Sequence, residues 1–226
     1  MADPPGVLVE LVDLPDDALP EWRKWYDEAY IPARLAVPGV AAGRRASGFQ
    51  NPDQQAIKDA DPLELGLFEL SSSAVVSSAE WAESDQRLRA DHSDRMAELD
   101  AAAERRVYDQ IVSTEDDYTP PTHSELIHCA FYQMGEQNHE EFNDWYNNEH
   151  IPIQMQVPGY LNTRRFQSPD ERERFVAIYD VEKREHTRGE AARGAMVSAW
   201  SDRIRDKLAI ARARRLFIVE SVQLPD

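Results

Sequence analysis

The sequence predicts an α+β fold in which two βαββαβ repeats pack sheet to sheet as a single barrel. The first observation behind this is a repeat. Residues 21–45 and 141–165 align without a gap at a constant offset of 120 and share ten identities. These are Glu21, Trp25, Tyr26, Ile31, Pro32, Val37, Pro38, Gly39, Arg44 and Arg45, matched by Glu141, Trp145, Tyr146, Ile151, Pro152, Val157, Pro158, Gly159, Arg164 and Arg165. Second, the flanks of both segments run through the same succession of strand, helix, strand, strand, helix, strand. Third, "TEDDYTPPTHSE" between the halves is acidic and prolyl with no apolar period, which marks a linker. The expected organisation is a first repeat over 1–113, a linker over 114–124 and a second repeat over 125–226.

In the first half, alternating apolar positions place strands at Val7–Leu14, Val40–Ser47, Leu63–Leu70 and Val107–Ser113. The helical period places helices from Pro20 to about Tyr30 and from Ala79 to about Arg106. In the second half, the strands are expected at Leu126–Met134, Tyr160–Gln167, Phe175–Val181 and Leu216–Leu224. The helices there run from His139 to about His150 and from Glu190 to about Arg214. Pro32 and Pro152 disfavour helix at the residue before them, so each first helix should stop near Tyr30 or His150. The "VPG" that follows reads as a turn. Each βαββαβ unit then forms a four-stranded antiparallel sheet with both helices on one face, the ferredoxin-like plan. Its bare face must be covered, and a second copy in the same chain can cover it.

The chain has 226 residues, enough to bury a core without staples, and its 42% hydrophobic and 30% charged residues are those of a globular protein. Forty-two acidic against 25 basic residues give a net charge of −17, which repels nucleic acid and anionic membrane surfaces. No apolar run is long enough to span a membrane. Cys129 is the single cysteine, so a disulfide within the chain and a cysteine-rich metal site are both excluded, and a cytoplasmic location is the simplest expectation. Either a monomeric pseudo-dimer or a homodimer agrees with such a chain.

Strand alternation nominates the candidate site. On the first strand of each half, Val7, Val9 and Leu11, and Ile127, Cys129 and Phe131, form uniformly apolar sets expected under the helices. The mixed sets, with Glu10 in one half and His128 and Tyr132 in the other, are expected to face the interior shared by the two sheets. There a buried polar group needs a partner or a ligand. Tyr132 and Tyr179 are candidate hydroxyl donors. One arginine of each Arg-Arg pair, Arg164 in the second half, is expected to reach inward for a substrate oxyanion. His150, in the last turn of its helix beside Glu149, has two readings: a proton-transfer group, or a packing and capping residue of the kind Tyr30 provides in the first half. The Glu-His pair lacks the spacing of a helical metal motif, and no metal is expected.

The string "FNDWYNNEHIPIQMQVPGYLNTRRF", with its W-Y-x-x-E-H-I-P and V-P-G, resembles the signature of EthD-like proteins of the dimeric α/β-barrel superfamily. The first copy, "WRKWYDEAYIPARLAVPGVAAGRRA", is similar but has Ala29 and Tyr30 in place of the Glu-His. The resemblance implies ferredoxin-like modules paired as an intramolecular dimeric α/β-barrel, with the family's Glu-His falling on Glu149 and His150. The expectation for function is a cofactor-independent enzyme acting on a small oxygenated, aromatic or polyketide-like metabolite by acid/base isomerisation, cyclisation, dehydration or other elimination. His150, His128 and Tyr132 are the expected catalytic residues, either histidine serving as acid or base and Tyr132 holding the developing oxyanion; Arg164, Glu10, Glu149, Tyr179 and Tyr30 are expected to bind the substrate. The alternatives are a haem-binding or cofactor-free oxygenase of the same superfamily, with His128 or His150 on the iron, and a non-catalytic small-molecule-binding protein.

Overall fold

A computed structural model describes residues 3–49, 64–169, 174–195 and 197–225. The expected start of the third strand at Leu63 lies outside the described residues. The strands are β1 (Gly6–Val12), β2 (Val40–Gly48), β3 (Glu64–Leu70), β4 (Ala103–Ser113), β5 (Leu126–Met134), β6 (Tyr160–Gln167), β7 (Arg174–Val181) and β8 (Ala209–Gln223). They hydrogen-bond in the order β1-β3-β2-β8-β5-β7-β6-β4 as a closed antiparallel barrel, so the α+β barrel class read from the sequence is the one observed.

The chain divides into two compact units that do not follow the halves of the sequence strictly. The first gathers β1, β2, β3, β4 as far as Asp109, and the end of β8 from Val219; the second takes β5, β6, β7, the last residues of β4 from Gln110, and β8 as far as Ile218. Each unit therefore includes a stretch of strand delivered from the other half of the chain.

The first helix of each half does not stop at its proline. In the first unit α1 (Leu19–Trp25) runs into a π-helical turn, Tyr26–Tyr30, and then into α2 (Ile31–Leu35) with Pro32 in its first turn. The Ile31 N–H reaches back five residues to the Tyr26 carbonyl, and Pro32 has no N–H to offer. The Asp27 carbonyl thereby loses both helical donors. The side-chain amide of Gln223, on the end of β8, donates to it at 2.9 Å.

The long helix expected over 79–106 is broken at His92 into α3 (Ala79–Asp91) and α4 (Ser93–Ala102), after which β4 begins. The second unit repeats the π turn. There α5 (His139–Trp145) leads through Tyr146–His150 into α6 (Ile151–Gln154), and α7 (Gly189–Gly194) and α8 (Ala199–Arg203) follow later. The helix expected to reach Arg214 gives way to β8 at Ala209. In both cases a sequence rich in Ala and Arg, helix-forming by propensity, is held as strand by its partners across the sheet. The two "VPG" turns are as expected, with Gly39 and Gly159 at φ of 92° and 86°, a region that only glycine enters without strain.

The core of each unit lies between its sheet and its helices. In the first, Leu8, Val12, Phe68 and Leu70 pack against Trp22, Tyr26, Tyr30, Met96 and Leu99. In the second, Leu126, Ala130, Phe175, Tyr179 and Val181 pack against Phe142, Trp145, Tyr146 and Ile204. This reverses the expected faces: the mixed sets of β1 and β5 lie under the helices, and the uniformly apolar sets lie on the opposite face. Because β1 is buried along its whole length, apolar alternation alone does not say which side meets the helices.

Candidate functional site

The reversed faces bring the polar residues of each unit together between sheet and helices, not between the two sheets. In the first unit Glu10 is fully buried and its carboxylate is saturated. The Tyr26 hydroxyl donates to it at 2.5 Å, the Tyr30 hydroxyl at 2.9 Å and the Arg105 Nε at 2.8 Å. Gly66, opposite Glu10 on β3, is what lets Tyr26 come so close. A Cβ at that position would lie 1.8 Å from the Tyr26 hydroxyl oxygen. Beside this cluster Arg45 binds Asp27 through Nε at 3.0 Å and Nη2 at 2.8 Å, and reaches Glu64 at 3.4 Å. Arg34, also buried, donates to Asp85 at 2.8 Å. Burial and the adjacent Glu10 push both tyrosine hydroxyls far above their ordinary range. The Glu10 carboxylate thus finds its partners within the unit, in Tyr26, Tyr30 and Arg105.

The corresponding place in the second unit is built from different chemistry. Tyr146 matches Tyr26, His150 matches Tyr30, and Ala130, opposite Arg214 on β8, stands where Glu10 stands opposite Arg105. His150 closes the π turn, 7% exposed, with its ring stacked on Trp145 at 4.6 Å and edge-on to Tyr146 at 5.0 Å. Its Nδ1 is buried and has no hydrogen-bond partner. Burial first, then Arg205, Arg214 and Arg165, lower its pKa to about 3, so the imidazole is neutral.

His128 lies on β5, stacked on Tyr179 at 4.8 Å. The Arg214 Nε–H donates to its Nε2 at 2.8 Å, which fixes the remaining ring proton on Nδ1, 3.5 Å from the Tyr160 hydroxyl. Burial, Arg214 and His150 hold its pKa well below the usual value, so it too is neutral. With Nε2 accepting from Arg214 and the proton on Nδ1, neither ring nitrogen of His128 has a free lone pair in this arrangement.

Around the two histidines, the Tyr179 hydroxyl donates to that of Tyr146 at 3.4 Å, and Tyr132 meets Phe142, Trp145 and Tyr146 edge-on or tilted. Arg165 lies over the Tyr146 ring at 4.2 Å and donates to the side-chain oxygens of Asn143 and Asn147, each at 2.8 Å. Burial lowers its pKa to about 10.

Of the residues singled out in the sequence, the structure thus unites His150, His128, Tyr132 and Tyr179. It does not bring Arg164 to them. That side chain points to the opposite face of the sheet, where its guanidinium stacks 3.4 Å over Tyr118, whose hydroxyl donates to Asp180 at 2.6 Å. Its neighbour Arg165 takes the helix side instead. Glu149 is half-buried and accepts from Ser198, the cap of α8, at 2.5 Å. Arg165, Arg214, Tyr146 and Tyr160 were missed as site residues. The repeat flagged Arg165 and Tyr146, but Arg214 was placed at a helix end, and only strand pairing aligns it with Arg105. Among the described residues no group of His, Cys, Asp and Glu has the makings of a metal site, and no helix is long and apolar enough to cross a membrane.

No family model and no curated protein matches the sequence. The fold does match solved structures. A "putative monooxygenase" from Fusobacterium nucleatum superposes with a TM-score of 0.65 at 11% identity, covering 99% of this chain and 96% of the other. One of the same description from Lactobacillus acidophilus gives 0.59 at 10%, covering 99% and 97%. An "anthrone oxidase-like protein" gives 0.64 at 12%, covering 99% and 94%. The chain therefore has the fold of these ferredoxin-like α/β-barrel proteins.

Proposed function

We propose that the second unit is a cofactor-independent acid–base site that removes a proton from a small phenolic or enolisable metabolite, and that the chain is a cytoplasmic tandem duplication of an EthD-like module with one working copy. His150 is the base. The observation that carries this is its buried, unpartnered Nδ1, set beside Tyr146 and within the field of three arginines. A neutral imidazole takes the substrate proton. The electron pair left behind moves onto the substrate oxygen, where Arg165 and the Tyr146 hydroxyl stabilise the charge. The new anion also offsets the arginine charges that depress the imidazole, so its basicity rises as the oxyanion forms.

From that intermediate, return of the proton to another carbon is isomerisation, and loss of a leaving group is elimination. Capture by dioxygen, with one oxygen atom entering the product and the other leaving as water, is oxygenation. The names of the structural neighbours favour the last branch, since two are described as monooxygenases and one as anthrone oxidase-like. All three branches share the first step, and the test addresses it. Anthrone in deuterated buffer should exchange its acidic CH2 protons faster with the protein than without, as followed by NMR. His150→Ala should remove the acceleration with an unchanged circular dichroism spectrum. Exchange that survives in this variant would rule out His150 as the base.

A further inference from the structure

The two units keep the same cations but differ in carboxylates. Arg105 and Arg45 of the first unit have counterparts in Arg214 and Arg165, each pair at the same register: Arg105 opposite Glu10 and Arg214 opposite Ala130, Arg45 opposite Gly66 and Arg165 opposite Ala177. In the first unit Glu10, Asp27 and Glu64 meet these arginines. In the second, the positions of those acids hold Ala130, Asn147 and Phe175. Arg165 is buried and donates to two neutral amide oxygens, which satisfy its geometry but not its charge. Among the described residues no carboxylate meets Arg165; burying a cation in this way is costly, and an anionic ligand would offset the cost.

We infer that the second unit binds a small organic monoanion, a carboxylate or an acidic phenol or enol, with its negative oxygen placed as the Glu10 carboxylate is placed in the first unit. Glu10 shows the binding mode: a carboxylate there accepts from two ring hydroxyls of the π turn and from the β4 arginine. In the second unit the Tyr146 hydroxyl stands where that of Tyr26 does and Arg165 supplies charge from the flank; Arg214, at the register of Arg105, donates through Nε to His128, and His150 replaces Tyr30. The rings gathered around Tyr146, those of Tyr132, Tyr179 and Phe142, make apolar aromatic surroundings that suit an aromatic body for the ligand. The inference rests on the second unit being the working site, and it concerns binding, not proton transfer.

Salicylate and its uncharged amide, salicylamide, form the test pair, followed by fluorescence titration of the wild-type chain. Salicylate should saturate one site per chain and bind about tenfold or more tighter than salicylamide, the difference a charge-assisted contact makes. Ala130→Glu supplies the missing carboxylate internally; it should keep the circular dichroism spectrum and lose salicylate binding, and Arg165→Gln should abolish the preference for the anion. Equal affinities for the two probes, no saturable binding of either, or undiminished salicylate binding by Ala130→Glu would each overturn the inference. Should Ala130→Glu not fold, the wild-type preference and Arg165→Gln decide. In the wild-type chain, an anion preference without accelerated anthrone exchange would sink the catalytic reading alone, and accelerated exchange without an anion preference would sink this inference alone.

Discussion

The exchange of Tyr30 for His150 takes its meaning from the residue each one faces. Tyr30 donates to Glu10, and the cluster is complete. His150 has Ala130 in that place, and its Nδ1 is left bare. Burial without a partner has a measurable consequence for stability. The folded-state pKa of His150 is lowered from 6.5 to about 3, so the folded protein refuses a proton that the unfolded chain accepts. Stability from this residue is fully present above pH 6.5 and is lost as the pH falls toward 3, at about 1.4 kcal/mol per pH unit. His128 acts in the same direction. His150→Phe should therefore flatten the urea-measured stability between pH 6.5 and 4.5 by about one proton's worth, relative to the wild type. An unchanged slope would show that the ring is already protonated or solvated in the folded state.

At the scale of elements, the π turn is what brings Tyr26 and Tyr30, or Tyr146 and His150, onto the sheet together. Neither proline ends its helix, because the wider turn absorbs the missing N–H and the chain regains α geometry at Ile31 and Ile151. In the first unit the orphaned Asp27 carbonyl is answered by Gln223, and the Asp27 carboxylate by Arg45 and Ser221 at 2.8 Å each. The end of β8 thus holds the π turn that carries Tyr26 and Tyr30 to Glu10. Gln223→Ala should cost about 1 kcal/mol in urea unfolding, the net worth of one half-buried hydrogen bond plus part of an unsatisfied carbonyl. A value near zero would mean that water replaces the amide there.

At the scale of the whole molecule, strands β4 and β8 are each divided between the two compact units, so neither unit is complete without chain from the other half. This predicts a single cooperative unfolding transition instead of two. Glu10→Ala is the probe. It leaves two buried hydroxyls and a partly buried arginine without their acceptor, at a cost of about 2–4 kcal/mol, reduced from the fully buried case because the Arg105 side chain is one-third exposed. The damage lies in the first unit, yet the calorimetric transition should move to lower temperature as one peak. A split into two peaks would show that the units melt independently.

The sequence by itself determined the strand count, the antiparallel α+β class, the placement of the glycine turns and the pairing of Tyr30 with His150, because each rests on a local pattern: period, turn chemistry or direct repetition. The tertiary structure decided the rest. Which face of β1 and β5 meets the helices depended on packing, since both faces are buried and alternation carries no sign. Whether Arg164 or Arg165 joins the site followed from that same choice of face. The role of Arg214 emerged only from strand pairing, which holds a helix-forming run as β8 and sets it opposite Ala130, where Arg105 faces Glu10. The repeat showed where the two halves differ; only the fold showed that one half carries its own carboxylate in the place the other leaves to a small alanine, because that place is assembled from residues the sequence keeps far apart.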